Sequence, residues 1–260
     1  MLVVTGISKK FGGVTAARNL RFSVEAGEIV SLIGPNGAGK TTVFNMITGF
    51  VKPSEGVIEF KGRDITGWQP QKIAREGIVR TFQITNVFSG LTVEENLLSA
   101  QYRRFTGPFW HSLVAHRKAR EQRQQAIEAS HELMNFVGLS DVADEIAVNL
   151  PYGRLRLLEI IIGLAAAPEM LLLDEPAAGL NHEESARLVG LLREICHRRS
   201  ITLLLVEHDM DVVMTVSDRI IVMNYGEKIA EGSPSEVKEN PLVIEAYLGP
   251  EIEDPEAPDA

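Results

Sequence analysis

Short β-branched stretches in which apolar and polar positions alternate open the chain: Leu2 to Ile7, Leu20 to Val24 and Val57 to Phe60, parted by glycine-containing turns. This pattern predicts strands with one covered face, and their succession predicts an antiparallel β region. Ile29-Val30-Ser31-Leu32-Ile33 is nearly continuous in apolar residues, the pattern of a strand buried on both faces of a parallel sheet. Glycines follow it, then Thr41 to Gly49 with helical spacing. The order predicted is strand, glycine-rich loop, helix.

From about Leu91 to Val148 the spacing becomes helical, starting at Thr92 and Glu95, which are placed as a capping box. Ala126, Ser130, Leu133 and Val137, with Ile127 and Met134 alongside, form a stripe that ends at Gly138, so a helical subdomain with a packed face is expected. Between Tyr102 and Arg123, Arg103, Arg104, Arg117, Lys118, Arg120 and Arg123 are mixed with Phe105, Phe109 and Trp110. A solvated insertion fits that mixture, and so does a surface for acidic lipid headgroups or a partner protein. After Gly163, Met170 to Leu173 and Ile201 to Val206 read as strands around a helix from Glu183 to Arg198, which carries Leu188, Leu191, Leu192 and Ile195. Alternating strands and helices predict a parallel sheet and an α/β class. Ser233, Pro234 and Glu236 start a last helix, and Pro250 to Ala260 is an acidic, proline-rich tail expected to be disordered.

Composition narrows the partners. The chain has 260 residues, 45% of them hydrophobic and 23% charged, enough for a large core in one domain or two smaller ones. Twenty-six basic and thirty-five acidic residues leave a net charge of −9, which argues against a nucleic-acid surface covering the molecule but permits a local basic patch. Cys196 is the single cysteine, on an amphipathic helix without a motif around it, so a packed small residue is expected and no disulfide framework is available. No secretion signal is visible at the start, and the apolar runs at Ile160 to Ala167 and Met170 to Leu173 are interrupted and too short to span a bilayer. The expectation is a cytoplasmic chain without a membrane span.

The chemistry concentrates in two strings. Gly34-Pro35-Asn36-Gly37-Ala38-Gly39-Lys40-Thr41 lies between the apolar strand and the helix, where glycines let backbone N–H groups curl toward a nucleotide phosphate and the helix aims its positive end at it. Lys40 can bridge the outer phosphates and Thr41 can offer its hydroxyl to Mg2+. Such a loop holds a triphosphate without cleaving it, so a magnesium-holding carboxylate and a group that activates water are also needed. Leu171-Leu172-Leu173-Asp174-Glu175 places both at the exit of a buried strand, Asp174 toward the metal and Glu175 as general base; the bland alternative is a solvated acidic turn. His208, in Val206-Glu207-His208-Asp209, reads either as a satisfied hydrogen-bonding group or as a catalytic one, and Gln83 is an oxygen donor that could touch Mg2+ or water.

Taken in order, these residues resemble the ATP-binding-cassette (ABC) ATPases from Leu2 to about Gly249. The resemblance implies a P-loop core of ABC type with a parallel sheet, an antiparallel β subdomain and a helical subdomain, with ATP and Mg2+ as ligands. It implies a core of residues 1–83 and 160–232, a helical subdomain over 84–159, a C-terminal helix over 233–249 and a tail over 250–260. Phe11 would stack on adenine, Gly34 to Thr42 would be the Walker A loop, Gln83 the Q-loop glutamine and Asp174 with Glu175 the Walker B acids. His208 would contact the γ-phosphate. Leu150-Pro151-Tyr152-Gly153-Arg154 stands where the family has its signature, with Pro151 in place of a serine and Gly153 kept; Asn181 replaces the aspartate of the D-loop.

Finer strings, Leu91-Thr92-Val93-Glu94-Glu95-Asn96-Leu97, Asp174 to Asn181 and Tyr225 to Gly232, look like the larger ATPase subunit of branched-chain amino acid importers. That branch implies a peripheral subunit on the cytoplasmic face of the membrane. Its partners would be a second, different ATPase subunit, two transmembrane permeases and an extracytoplasmic solute-binding protein. Importers of urea, amides or aromatic compounds, a lipopolysaccharide-export ATPase and a soluble non-transport cassette are the alternatives.

Overall fold

The computed structural model describes residues 1–81, 87–105 and 116–248, with the side chains at 102–105, 116–119 and 248 left out. Gln83, residues 106–115 of the basic and aromatic insertion and the 250–260 tail lie outside the described residues. The chain runs β1 (Leu2–Phe11), β2 (Val14–Val24), β3 (Ile29–Ile33), α1 (Lys40–Ile47), β4 (Glu55–Phe60), β5 (Arg63–Asp64), α2 (Pro70–Arg75) and β6 (Ile78–Arg80). Then come α3 (Val93–Phe105), α4 (His116–Val137), α5 (Tyr152–Ala165), β7 (Met170–Asp174), α6 (His182–Arg199), β8 (Thr202–Val206) and α7 (Met210–Val216). β9 (Arg219–Asn224), β10 (Glu227–Gly232), α8 (Pro234–Lys238) and α9 (Pro241–Leu248) complete it.

Two sheets organise these elements. One is antiparallel, in the order β2-β1-β4-β5; the other runs β10-β9-β3-β8-β7-β6. In the second, β6 to β9 and β3 are parallel, while β10 pairs antiparallel to β9. The expected parallel sheet is therefore mixed at one edge, because only a two-residue turn, Tyr225-Gly226, separates β9 from β10 and so short a connection can only make a hairpin. Residue parity assigns the faces. Leu171, Leu173, Leu203 and Leu205 join the cluster formed with α5, α6 and α7, while Leu172, Leu204, Val30 and Leu32 join the cluster under α1 and the antiparallel sheet. The strands are buried on both sides, which is why they read as continuous apolar runs.

The helical stretch expected from Leu91 to Val148 is divided. α3 and α4 pack on α5, and the chain between α4 and α5 includes two 3-10 turns, Ser140–Val142 and Ala147–Asn149. The Thr92–Glu95 capping box forms at the start of α3: the Glu95 N–H donates to the Thr92 hydroxyl and the Thr92 N–H to the Glu95 carboxylate. Cys196 is buried on α6, its thiol donating to the Gly27 carbonyl, and burial pushes the thiol up to about 11, so it packs and is not a ready thiolate.

Candidate functional site

Register places the chemistry at one edge of the sheet. Leu32 of β3 pairs with Val206 of β8, and Val206 pairs with Asp174 of β7, so three parallel strands end in one row about 10 Å across. The glycine-rich loop leaves the first, His208 follows the second and Glu175 follows the third. Ligands collect at this carboxyl edge in open α/β sheets.

Two of the glycines have no substitute. Gly34 has φ 148° and Gly39 φ 100°; a Cβ on either would lie 2.1 Å from a carbonyl oxygen, that of Met223 for the first and of Ala16 for the second. The loop is thus pressed against β9 and β2 and leaves its other side open. A turn from the Ala38 N–H to the Pro35 carbonyl closes it, and the Gly226 N–H donates to the Ala38 carbonyl. α1 starts at Lys40, one residue before the expected Thr41, with Gly39 as N-cap and no side-chain cap, so its first N–H groups remain available to an anion. Lys40 folds back over the loop, its Nζ donating to the carbonyls of Gly34 at 2.6 Å and Pro35 at 3.1 Å. Only 9% of Lys40 is exposed. Burial pulls its ammonium below the ordinary lysine range, while the charges of Glu175 and Asp174 push the other way, which puts both carboxylates within electrostatic reach of the loop.

Asp174 is held by a residue that the sequence pattern did not single out. Arg80, the last residue of β6, donates to Asp174 Oδ2 at 2.6 Å, with side-chain exposures of 5% and 11%. Its other amino group donates to Asn45 Oδ1 on α1 at 2.6 Å. Glu175 adopts φ 49°, a left-handed conformation unusual for a residue with a side chain, and its N–H donates to the Val206 carbonyl. Strain of this kind persists where the surroundings impose it and is common at working sites. His208 Nδ1 lies 3.8 Å from Glu175 Oε2, with the ring 61% exposed.

Glu207 was also passed over. Its carboxylate, on a residue 1% exposed, accepts from the N–H groups of Ala177, His208 and Asp209, tying the segment after β7 to the segment after β8. Burial pushes its carboxyl up from the ordinary 4.5, against the three N–H groups and His208 that pull it down. A raised carboxyl stabilises the fold fully below its ordinary value and loses that contribution as pH rises through the raised one. Glu207→Gln should therefore gain in unfolding free energy relative to the parent as pH goes from about 4 to 8, read by urea melts across that range. A pH-independent difference would remove Glu207 as the titrating group.

The remaining expectations divide. Phe11 sits exposed at the end of β1, on the hairpin whose Ala16 touches Gly39, with the Lys9 ammonium 5.1 Å from its ring. Thr41 and Thr42 lie in the first turn of α1. Gly153 lies at the start of α5, where a Cβ would meet Glu184 Oε1 of α6 at 2.4 Å. Asn181 caps α6, accepting from the Glu184 N–H while Glu184 accepts from the Asn181 N–H, so an amide meets the capping requirement there. Pro151 caps α5 through its backbone alone.

The residues fit a nucleotide and a hard divalent cation. The loop is a cradle that a Cβ at Gly34 or Gly39 would disrupt, and Thr41 and Asp174 supply the oxygen donors that Mg2+ prefers. Among the described residues no group of three or more His, Cys, Asp or Glu could hold a metal ion.

Residues 17–178 match the ABC transporter family. The chain belongs to that family. Residues 227–249 further match the family described as branched-chain amino acid ATP-binding cassette transporter. The chain is 45% identical over 249 residues to LivG of Salmonella typhimurium, named as a high-affinity branched-chain amino acid transport ATP-binding protein, covering 96% of this chain and 98% of that one. BraF of Pseudomonas aeruginosa, of the same description, is 43% identical over 249 residues with the same coverage, 96% and 98%. Among solved structures, an ATP-binding cassette of an ABC transporter in its ADP conformation superposes with a TM-score of 0.84 at 34% identity, covering 96% of this chain and 99% of the other. The fold is that of an ABC ATPase, and the chain is a nucleotide-binding, ATP-hydrolysing enzyme.

The Tyr152 hydroxyl, beside Gly153, donates to the Ala178 carbonyl and accepts from Arg156, joining the start of α5 to the segment that follows Glu175.

Proposed function

We propose that this chain is the ATP-hydrolysing subunit of an ABC importer for branched-chain amino acids. The observation that carries the reading is likeness across nearly the whole chain to LivG and BraF, reinforced by the family match at residues 227–249. Among the described residues no helix is long and apolar enough to cross a membrane, so the subunit would work against membrane-embedded permeases.

In this reading the N–H groups of residues 34 to 41 and the Lys40 ammonium bind the phosphates, and Phe11 carries the adenine. Mg2+, held through Thr41 and Asp174, would draw charge from the transferring phosphoryl oxygens when bound. Glu175 orients a water and takes its proton as that water attacks the γ-phosphorus; the bond to the β–γ bridging oxygen breaks and leaves ADP and phosphate. His208, 3.8 Å from Glu175, is placed to hydrogen-bond the departing phosphate. Gln83 belongs to the same proposal as a donor to metal or water.

Gly153 lies at the start of α5 against Glu184 of α6, and in this reading the signature it belongs to serves the nucleotide of a second ATPase subunit. Pro151 brings neither a hydroxyl nor an N–H to that contact, and this favours a partner of different sequence. The permeases have a receptive surface. A cleft of about 320 Å3 between α2, β6, α3 and α5 is lined mainly by apolar residues, including Phe50, Val79, Val87, Ala100 and Ile162. Phe50 is exposed at its edge. A cleft of that kind between two packed parts of the chain takes a short helix from a partner. An extracytoplasmic binding protein would then deliver solute to the permeases.

The test is uptake. Rebuilt with its permeases and binding protein in vesicles, the wild-type chain should drive ATP-dependent accumulation of labelled leucine, and Phe50→Asp should reduce both accumulation and permease co-purification several-fold. Accumulation of urea or an aromatic acid without leucine would overturn the substrate assignment.

A further inference from the structure

We propose that Arg80 is a positioning residue for the metal-holding carboxylate: it fixes Asp174 and, as a permanent cation beside it, sets how tightly the nucleotide site takes a divalent metal. This rests on the reading of Asp174 as the magnesium-holding group.

The guanidinium is fixed from three directions. It donates to Asp174 Oδ2 at 2.6 Å and to Asn45 Oδ1 at 2.6 Å, and it lies 5.5 Å from the Phe44 ring. Asn45 and Phe44 belong to α1, the helix that begins with Lys40, so one side chain joins the helix behind the phosphate loop to the acid at the end of β7. An arginine keeps its charge at every relevant pH, and its planar fork suits two partners set at an angle. A carboxylate has about four lone-pair sites. Arg80 occupies one of these on Oδ2.

The electrostatic consequence has a definite sign. Asp174 and Arg80 are nearly buried, so solvent screens them little. The cation next to Asp174 offsets the attraction of that carboxylate for a dication and repels the dication directly. A merely structural Arg80 would show the opposite on removal, because a loosened carboxylate binds metal less well.

The experiment is a Mn2+ titration of the full chain loaded with a non-hydrolysable ATP analogue, followed by the electron paramagnetic resonance of the free ion. Arg80→Gln should bind Mn2+ about tenfold more tightly than the parent. Its affinity for the analogue in the presence of EDTA should match the parent. Arg80→Lys, which keeps a cation, should shift Mn2+ affinity less than the glutamine variant does. Should the glutamine variant not fold, Arg80→Met keeps an unbranched chain against Phe44 and should give the same shift. Unchanged or weaker Mn2+ binding in the folded neutral variant overturns the proposal. Asp174→Asn separates the two layers: if it leaves Mn2+ binding unaltered, the reading of Asp174 fails. If it weakens Mn2+ binding while Arg80→Gln changes nothing, only the role of Arg80 fails.

Discussion

Glu175→Gln is expected to lower the rate of ATP hydrolysis by about 10²–10⁴-fold while leaving ATP bound. The substitution keeps the shape of the side chain and removes the group able to take a proton from water. Position should be kept in the variant, since the N–H tied to the Val206 carbonyl belongs to the backbone and glutamine has nearly the shape of glutamate. Binding should survive because the phosphate contacts are assigned to residues 34 to 41, in the loop and helix start that follow β3. Single-turnover hydrolysis of labelled ATP, paired with equilibrium binding of the same nucleotide, separates the two quantities. Unchanged hydrolysis would remove Glu175 as the base; loss of binding would make it a structural acid.

Lys40→Ala should weaken ATP binding by about ten- to 150-fold, the equivalent of roughly 1.5–3 kcal/mol for a hydrogen bond to a charged group. The ammonium is already directed by two carbonyls of the loop and lies under the influence of Asp174 and Glu175, so its removal takes away a fixed charge and not a mobile one. The fold should tolerate the change. A buried cation carries a desolvation cost, visible in the lowered affinity of Lys40 for its proton, and alanine relieves it. The melting temperature without nucleotide should stay close to the parent, while the stabilisation by ATP should largely vanish. Full stabilisation in the variant would contradict the role given to Lys40.

Much of the site was legible because its chemistry is contiguous in sequence. The run from Gly34 to Thr41 encodes turn, charge and helix start in eight residues, and Asp174-Glu175 ends an apolar strand. Arg80 and Glu207 were not legible for the opposite reason. Arg80 meets Asp174 across 94 positions and Glu207 meets Ala177 across 30, and nothing local forecasts either pairing. Each did leave one trace: a charge at the end of an apolar strand, Ile78-Val79-Arg80 in one case and Thr202 to Val206 followed by Glu207 in the other. A charge in that setting needs a buried partner.

The fold divides along the same line. The central strands were readable from continuous apolar runs, whereas β6 has three residues, too few for any period to register. Asn181 stands where the resemblance puts the D-loop aspartate. The structure gives it local work as the cap of α6, reciprocated by Glu184, which also packs against Gly153.

Titration of ATP with Mg2+ into the folded full-length chain, followed by calorimetry, bears most directly on the nucleotide site. The account predicts one nucleotide bound per chain, with heat strongly reduced in Lys40→Ala. Absence of binding heat in folded wild-type protein at several temperatures, or identical isotherms for wild type and Lys40→Ala, would contradict it.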